Sequence, residues 1–209
     1  MDFFFAVIII AFIQMKIFLA TNNKHKITEK KETINKLSNK NVEIVYPEML
    51  NINIEPDETG STFEENSFIK ASAFFNATNI PTLADDSGLE IEALNGLPGV
   101  NSARFSKPHN DSANIKKVLE LLKDKQNKIA RFRTALAYYD GNEVYYFNGI
   151  CNGRIISEER GSNGFGYDPI FIPDGYDKTF AEMSRNEKNS LSHRYLAVVE
   201  FCIWFSKNY

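Results

Sequence analysis

Residues 83–89 read Leu-Ala-Asp-Asp-Ser-Gly-Leu, with the acids at Asp85 and Asp86. The pattern predicts a buried strand, Pro81–Ala84, that turns at the acids before a second strand at Leu89–Leu94. Adjacent acids at the end of a buried strand repel each other and lose solvation unless a cation neutralises them. Mg²⁺ prefers such oxygens together with substrate phosphates, which suggests metal-assisted chemistry on a phosphorylated substrate. An Asx-turn, in which one acid caps backbone amides, is the alternative.

The composition limits the class of protein. A chain of 209 residues fits one domain with a sizeable core, which 17 Phe and 9 Tyr make rich in aromatic side chains. The net charge of −3 argues against broad nucleic-acid binding, so any phosphate site must be a local cluster of cations. Cys151 and Cys202 lack metal-ligand spacing, and we therefore expect a reduced, cytoplasmic protein.

The amino terminus carries a continuous apolar segment, Phe3–Ile13. This segment is too short to span a bilayer, and Asp2 stands where a signal peptide carries basic residues. We expect translation to begin at Met15, with residues 1–14 an upstream extension and residues 15–209 a single domain without a membrane partner. A signal anchor in residues 1–14 is the alternative.

The remaining sequence alternates strand and helix patterns, which predicts an α/β protein with a mixed sheet. A capping box, Thr62-x-x-Glu65, begins one helix, and Asp140-Gly141-Asn142 is a strong hairpin signal. The last helix is apolar nearly all round, so we expect it to be buried. Besides the two strands at the acid pair, the predicted strands are Lys16–Thr21, Val42–Val45, Ile129–Tyr139, Glu143–Ile150 and Pro169–Ile172, and the predicted helices are Lys24–Leu37, 62–77, one around Ile115–Leu122 and Ser192–Ser206.

Two polar clusters lie at predicted helix starts. The segment Thr21–Lys26 joins the first strand to the first helix and could cradle a phosphate, although the local sequence alone favours a polar turn with solvated lysines. In the second helix, Asn66 and Lys70 share a face, close to Glu65. Glu65 could bind a metal and Lys70 a phosphate. The alternative is a capping acid beside a surface lysine.

Two further clusters lie in the last third of the chain. Glycines in Gly164–Pro169 would let the backbone approach a ligand, and Phe165 could stack on a base or plug the core. Near the last helix, Lys188, His193 and Arg194 supply hydrogen-bond donors. Positive charge at a helix amino terminus opposes the helix dipole, which favours a functional role.

The order of these clusters is more specific than any one of them. TNNKHK, FEENSFIKA, LADDSGLEIEALNGLPGVNSARF, GFGYDPIFIP and AEMSRNEKNSLSHR resemble, in this order, the inosine/xanthosine triphosphate pyrophosphatase family. The resemblance runs from Met15 almost to the carboxyl end. It implies an elongated mixed sheet flanked by helices, two lobes around a central nucleotide cleft, and a homodimer. It also implies Mg²⁺-dependent hydrolysis of ITP, dITP and XTP to the monophosphate and pyrophosphate.

The resemblance also implies roles for individual residues. Asp86 would accept a proton from water, and Glu65, Asp86 and Asp85 would form the metal site. The implied substrate contacts are Thr21, Asn22, Asn23, Lys24, His25, Lys26, Lys70, Ser87, Phe165, Gly166, Tyr167, Asp168, Lys188, His193 and Arg194.

The chemistry of the bases agrees with this assignment. Hypoxanthine and xanthine present a carbonyl at C6 where adenine presents an amine, so donors such as Lys188 and Arg194 would be left unpaired against adenine. The nearer alternative is a Maf-like pyrophosphatase for other nucleotides, and the alternative from a different class is a catalytically silent nucleotide-binding module.

Overall fold

A computed structural model of the protein describes residues 15–38 and 41–209. The expectations about residues 1–14 lie outside the described residues. Across the two described ranges, no helix combines the length and the apolar character needed to cross a membrane.

The described residues form six strands and six α-helices. The strands are β1 (Met15–Leu19), β2 (Val42–Val45), β3 (Thr82–Ile91), β4 (Ile129–Tyr139), β5 (Val144–Ile155) and β6 (Phe171–Pro173). The helices are α1 (Lys24–Leu37), α2 (Pro47–Leu50), α3 (Phe63–Thr78), α4 (Asp111–Leu122), α5 (Arg185–Leu191) and α6 (His193–Asn208). Short 3₁₀ helices occupy Glu92–Leu94, Gly99–Arg104 and Asp168–Ile170.

The strands form one mixed sheet in the order β2-β1-β3-β4-β5-β6. The first strand pairs in parallel with β2 and β3, whereas β3 through β6 pair antiparallel. The α/β class and the mixed sheet predicted from the sequence are confirmed.

The predicted turn at the acid pair is wrong. Strand β3 runs unbroken through Asp85, Asp86 and Gly88, and every residue from Thr82 to Ile91 has a partner on β4. Turn-forming residues are tolerated here because the neighbouring strand satisfies the backbone, and lysine and amide side chains compensate the buried carboxylates.

The two acids point to opposite faces of the sheet, since side chains alternate along a strand. Leu83, two residues before Asp85, packs in a core with side chains of α1 and α6. Ala84, two residues before Asp86, packs in a core with Phe74 of α3. The acid pair therefore meets one helix layer on each side of the sheet.

A second large core lies beyond the acids. Leu89 and Ile91 of β3 pack there with apolar residues of α4 and with Phe171 and Phe180. Gly88 permits a close approach at the junction, because a Cβ there would lie 2.3 Å from the Gly99 carbonyl oxygen. Residues 85–88 thus lie between two cores, as the expectation of two lobes requires.

Three further features differ from the sequence predictions. Helices α2 and α5 were not predicted, although Ser184 and Glu187 form a complete capping box at α5. Strand β5 continues five residues past the predicted end, Ile150, to pair with β6. Helix α6 is only partly buried, with Ile203 55% exposed.

Candidate active site

The candidate site lies where β1 ends. Strand β1 pairs with β3 only as far as Leu19 and Leu83. Asp85–Ser87 therefore lie beyond the part of β3 that β1 covers. The chain leaves β1 at this point and enters α1 through residues 21–23. A crevice outside the carboxyl end of a parallel strand is a common ligand site in α/β sheets.

On one face of β3, Asp85 is held by two lysines of α1. Lys26 donates to Oδ2 at 2.8 Å, and Lys30 donates to Oδ1. Ser87 contacts Oδ2 at 3.3 Å and Thr134 at 2.7 Å. Burial alone would raise the pKa of the Asp85 carboxyl, but Lys26 and Lys30 hold it well below its usual range. Asp85 is therefore an anion whose two oxygens are both engaged by ammonium groups.

The loop before α1 is shaped by its own polar side chains. The Asn23 Oδ1 accepts from the Lys26 backbone at 3.2 Å, and the Thr21 hydroxyl accepts from the Asn23 backbone at 3.2 Å. Asn22 is exposed beside them. Lys24 does not contact the acid pair: its side chain is 82% exposed, and its ammonium lies 3.8 Å from Glu48. The side chain of His25 is outside the described residues.

On the other face of β3, Asp86 meets α3. Asn66 donates to Oδ2 at 3.0 Å, and the Ser87 backbone donates to Oδ1 at 2.9 Å. Lys70 lies 3.8 Å from Oδ1 and donates to Glu58 at 2.8 Å. Burial raises the pKa of the Asp86 carboxyl, in contrast with Asp85. Asp86 is thus a buried acid with a raised affinity for a proton.

Glu65 is exposed at the start of α3 and acts as a capping residue. Its Oε2 accepts from the Ser61 backbone at 2.6 Å and from the Ser61 hydroxyl at 2.8 Å, while its own backbone donates to Thr62. The bonds from Ser61 lower the pKa of the Glu65 carboxyl. The predicted capping box is present in modified form, because the return bond reaches Ser61 rather than Thr62.

The glycine loop is organised around Asp168. The buried Asp168 carboxylate accepts from the Phe165 backbone at 2.8 Å and from Lys188. Tyr167 is buried and donates to the Ser102 carbonyl at 2.8 Å. The Gly166 backbone donates to Asp111 at 2.7 Å. These bonds fix the loop while leaving the Phe165 ring 41% exposed.

Two cations flank the Phe165 ring. The Lys188 ammonium is 5.1 Å from the ring centroid, and the Arg194 guanidinium carbon is 4.9 Å from it. Both residues are buried, and the Arg194 Nε lies 3.6 Å from a Glu29 oxygen, beyond hydrogen-bond distance. An aromatic surface and two donor groups are thereby brought together from three elements.

His193 is buried and stacks on Phe132, with ring centroids 4.8 Å apart. Burial, together with the charges of Arg194 and Lys188, holds the pKa of the imidazole well below its usual range. Arg194 lies 3.1 Å from Nε2 and can only donate, so Nε2 accepts and Nδ1 carries the proton. The Nδ1 atom is buried and has no hydrogen-bond partner among the described residues.

One cavity joins the two parts of the site. It has a volume of about 260 Å³, and its lining includes Lys26, Ser87, Phe165, His193 and Arg194. A second cavity of about 570 Å³ lies against Phe165 and Lys188. Eight of the predicted residues line the first cavity, and Asn23 and Lys188 line the second. Asp86 and Lys70 lie on the other face of β3, Lys24 is exposed beside Glu48, and Glu65 is engaged at its own helix cap.

Sequence reasoning missed three charged residues that contact the predicted ones. Lys30 follows Lys26 by one helical turn, a spacing that places both on one face. Glu29 precedes Lys30 and carries the carboxylate near Arg194. Glu58 lies in a polar loop where no periodic pattern marks it.

Within residues 15–38 and 41–209, no three acidic, histidine or cysteine side chains are grouped as a metal cluster.

Comparison with known proteins gives a consistent result. The model of the Ham1 family matches residues 17–204. A dITP/XTP pyrophosphatase of Christiangramia forsetii is 43% identical over 194 residues, covering 92% of this chain and 100% of that protein. A dITP/XTP pyrophosphatase of Aquifex aeolicus is 43% identical over 190 residues, covering 86% of this chain and 91% of that protein.

Solved structures agree with the sequence matches. The Ham1 protein of Staphylococcus aureus superposes with a TM-score of 0.84 at 36% identity, covering 93% of this chain and 100% of that one. A HAM1 protein of Coxiella burnetii superposes with a TM-score of 0.85 at 37% identity, with the same coverage. The expected architecture is therefore confirmed at the level of the fold.

Proposed function

The chain belongs to the Ham1 family, and from this premise we propose that it is a nucleoside triphosphate pyrophosphatase acting on deaminated purine nucleotides. It hydrolyses ITP, dITP and XTP to the nucleoside monophosphate and pyrophosphate. The names of the relatives from Christiangramia forsetii and Aquifex aeolicus support this substrate class.

One observation carries the proposal. A single cavity of about 260 Å³ connects Lys26 and Ser87, beside the acid pair, with Phe165 and Arg194. A nucleotide needs a cationic end for its phosphates and an aromatic, donor-rich end for its base. The lining of this cavity includes both kinds of group.

The polyphosphate lies at the amino terminus of α1. Backbone N–H groups there, with Thr21, Asn22 and Asn23, surround a position that favours an anion. Lys26 supplies the nearest cation, and Ser87 borders the same cavity. Lys70, on the other face of β3, offsets charge that develops on the leaving pyrophosphate.

Asp86 accepts the proton of the attacking water. Water attacks phosphorus at the α-position, the bond to the pyrophosphate oxygen breaks, and the proton passes to the Asp86 carboxylate. Burial raises the pKa of Asp86, which makes its carboxylate a stronger base than an exposed one. Asn66 and the Ser87 backbone orient the carboxylate by hydrogen bonds.

The donor set beside Asp86 fits Mg²⁺, which takes carboxylate oxygens together with substrate phosphates. Asp86 is a buried carboxylate that a cation would stabilise, and Glu58 lies across Lys70 from it. Glu65 could join after releasing Ser61, whereas both Asp85 oxygens already accept from lysines. When bound, Mg²⁺ would polarise the phosphoryl oxygens. Mg²⁺ titrations of Glu58→Gln and Glu65→Gln distinguish the two glutamates.

The base is recognised by donors. Lys188 and Arg194 can only donate, which suits the C6 carbonyl of hypoxanthine and xanthine. His193 is held neutral, and its buried Nδ1–H is a third donor at the same cavity. Adenine would leave such donors unpaired, at a cost of about 1–3 kcal/mol for each. Phe165 provides the stacking surface.

We further propose a homodimer in the cytoplasm. Association would remove exposed apolar side chains, such as Leu97 and Ile203, from water. The two buried cysteines are free, as is usual in a reducing compartment. Light scattering coupled to gel filtration tests the oligomeric state.

The decisive experiment is a nucleotide panel with Mg²⁺, comparing dITP and XTP with dATP, dGTP and pyrimidine triphosphates. We expect pyrophosphate release from dITP and XTP, and loss of turnover on addition of a chelator. Orthophosphate release would indicate a phosphatase, and a preference for pyrimidines would favour the Maf-like alternative. Binding without turnover would indicate the silent module.

A further inference from the structure

Lys30 lies where an apolar residue would be expected. Ile27 and Ile34 are buried on the same face of α1 and belong to its core contact with α6. Lys30 lies between them at helical spacing, and its side chain is only 3% exposed. Burying an ammonium group costs free energy because the group loses its hydration. A protein with a well-packed apolar side chain at such a position is often as stable or more stable. Core packing therefore does not explain this residue.

The contacts of Lys30 point instead to Asp85. Lys30 binds Oδ1 of this carboxylate, while Lys26 binds Oδ2 at 2.8 Å. Asp85 is thus shared by two lysines one helical turn apart. Without Lys30, Asp85 and Lys26 would form a pair with no net charge.

The two lysines differ in their access to the cleft. The Lys26 side chain is 21% exposed and borders the cavity of about 260 Å³. Lys30 does not border that cavity; it borders a smaller one, of about 20 Å³, together with Lys26 and Arg194. The net positive charge of Lys26, Lys30 and Asp85 is therefore accessible to a ligand through Lys26.

We propose that Lys30 is a positioning residue whose buried ammonium neutralises Asp85, so that Lys26 keeps a net positive charge for the substrate polyphosphate. This inference rests on the proposed function, since it assigns the phosphates to Lys26. Lys30 itself is too deeply buried to contact them. Its effect therefore passes through Asp85 and Lys26.

Charge-swap variants test the inference. Lys30→Met makes the cluster of Lys26, Lys30 and Asp85 neutral, whereas Lys30→Met with Asp85→Asn returns its net charge to that of the parent. Lys31→Met is the matched control, because Lys31 is the next residue of α1 and is exposed. The probe is inorganic tripolyphosphate, whose binding is measured by calorimetry at low and high salt without any turnover.

We expect Lys30→Met to weaken tripolyphosphate binding roughly tenfold at low salt, and less at high salt, as loss of one nearby charge predicts. The double variant should bind tripolyphosphate to within about threefold of the parent. The control Lys31→Met should bind it as the parent does. With dITP, Lys30→Met should raise KM by a similar factor and change kcat little. Parent-like binding by Lys30→Met, or a double variant that binds no more tightly than Lys30→Met, overturns the inference.

Folding of the variants is checked by thermal unfolding. If Lys30→Met and Lys30→Gln both fail to fold while the double variant folds, charge neutralisation by Lys30 is supported. If the double variant also fails to fold, Lys30 is structural and the inference is overturned. A parent protein that does not hydrolyse dITP or XTP would refute the proposed function, whereas the tripolyphosphate series would still decide the role of Lys30.

Discussion

Asp85 and Asp86 are neighbours in sequence, yet their side chains lie on opposite faces of β3 and their proton affinities differ. Lysines at both oxygens hold the pKa of Asp85 well below its usual range. Asp86 has an amide, a backbone N–H and a more distant lysine, and burial raises its pKa. The first acid is suited to remain a fixed anion and the second to take up a proton.

The first prediction concerns Asp86 as the general base. Asp86→Asn keeps the shape of the side chain but cannot accept the proton, so kcat for dITP should fall by about 10²–10⁴. Initial rates of pyrophosphate release measure the effect, and circular dichroism verifies the fold. Ordinary turnover by this variant would remove Asp86 from the mechanism.

The second prediction concerns stability in the absence of metal. An acid with a raised folded pKa contributes stability below its unfolded pKa and loses that contribution as pH rises through the folded value. Asp86→Asn should therefore raise the melting temperature at neutral pH, with a smaller gain under acidic conditions. Glu65 has a lowered pKa, so Glu65→Gln should lower the melting temperature at neutral pH, and the difference should shrink as pH falls. Changes of the same sign in the melting temperatures of both variants at neutral pH would contradict this expectation.

The third prediction concerns base selectivity. Arg194→Ala removes a buried donor, so kcat/KM for dITP should fall about 10- to 100-fold, equivalent to roughly 1–3 kcal/mol, while the low value for dATP should change little. Arg131→Ala is the control, since Arg131 is about half exposed, pairs with Glu90 and lines neither cavity. An equal loss for both nucleotides would indicate general damage rather than loss of base recognition.

Sequence reasoning selected these residues because each lies in a local motif of polar or charged residues. It missed Lys30 and Glu58 for different physical reasons. Lys30 lies on the apolar stripe of α1, where its role depends on a carboxylate 55 residues away. Glu58 lies in a loop, and its link to Lys70 exists only in the folded chain.

Among the elements, α6 depends on a glycine for its position. A Cβ at Gly149 would lie 1.8 Å from the His193 carbonyl oxygen and 2.7 Å from the Ala197 backbone nitrogen. The first turn of α6 therefore packs directly on the backbone of β5. This contact sets where His193 and Arg194 meet the cavity.

The fourth prediction follows from this contact. Gly149→Ala should displace α6, destabilise the protein by about 1–3 kcal/mol and reduce turnover of dITP. Ile150→Ala is the control, because Ile150 is the next residue of β5 and is 40% exposed. Urea unfolding and dITP kinetics measure both effects. Equal stability of the two variants would show that the helix adapts to the added methyl group.

Elements governed by local chemistry were the ones that the sequence predicted well. Helix α1 has the predicted bounds, and the β4–β5 hairpin forms at Asp140–Asn142. The unbroken course of β3 could not be read locally, because its acids are tolerated through lysines on α1 and α3. Predictions of strand breaks fail where distant side chains compensate an unfavourable local sequence.

At the scale of the whole molecule, the site connects two cores. Leu83 belongs to the core under α1 and α6, and Leu89 belongs to the core under α4 and β6. The cavity between them is bordered by residues from both sides, including Lys26 and Tyr167. A ligand in this cavity would add contacts between the two cores, so its binding should stabilise the whole fold.

The fifth prediction uses the reaction product, which is not consumed. A ligand at 100 times its Kd stabilises a protein by about 2.7 kcal/mol, which for a chain of this length corresponds to a rise of roughly 5–10 °C in melting temperature. Saturating IMP should produce such a rise, whereas AMP should produce little because Lys188 and Arg194 cannot both be satisfied by an amine at C6. Arg194→Ala should reduce the IMP shift, and Arg131→Ala should preserve it. Equal shifts with IMP and AMP in the parent protein would mean that the cavity binds only the ribose phosphate. Base selectivity would then have to arise in the transition state.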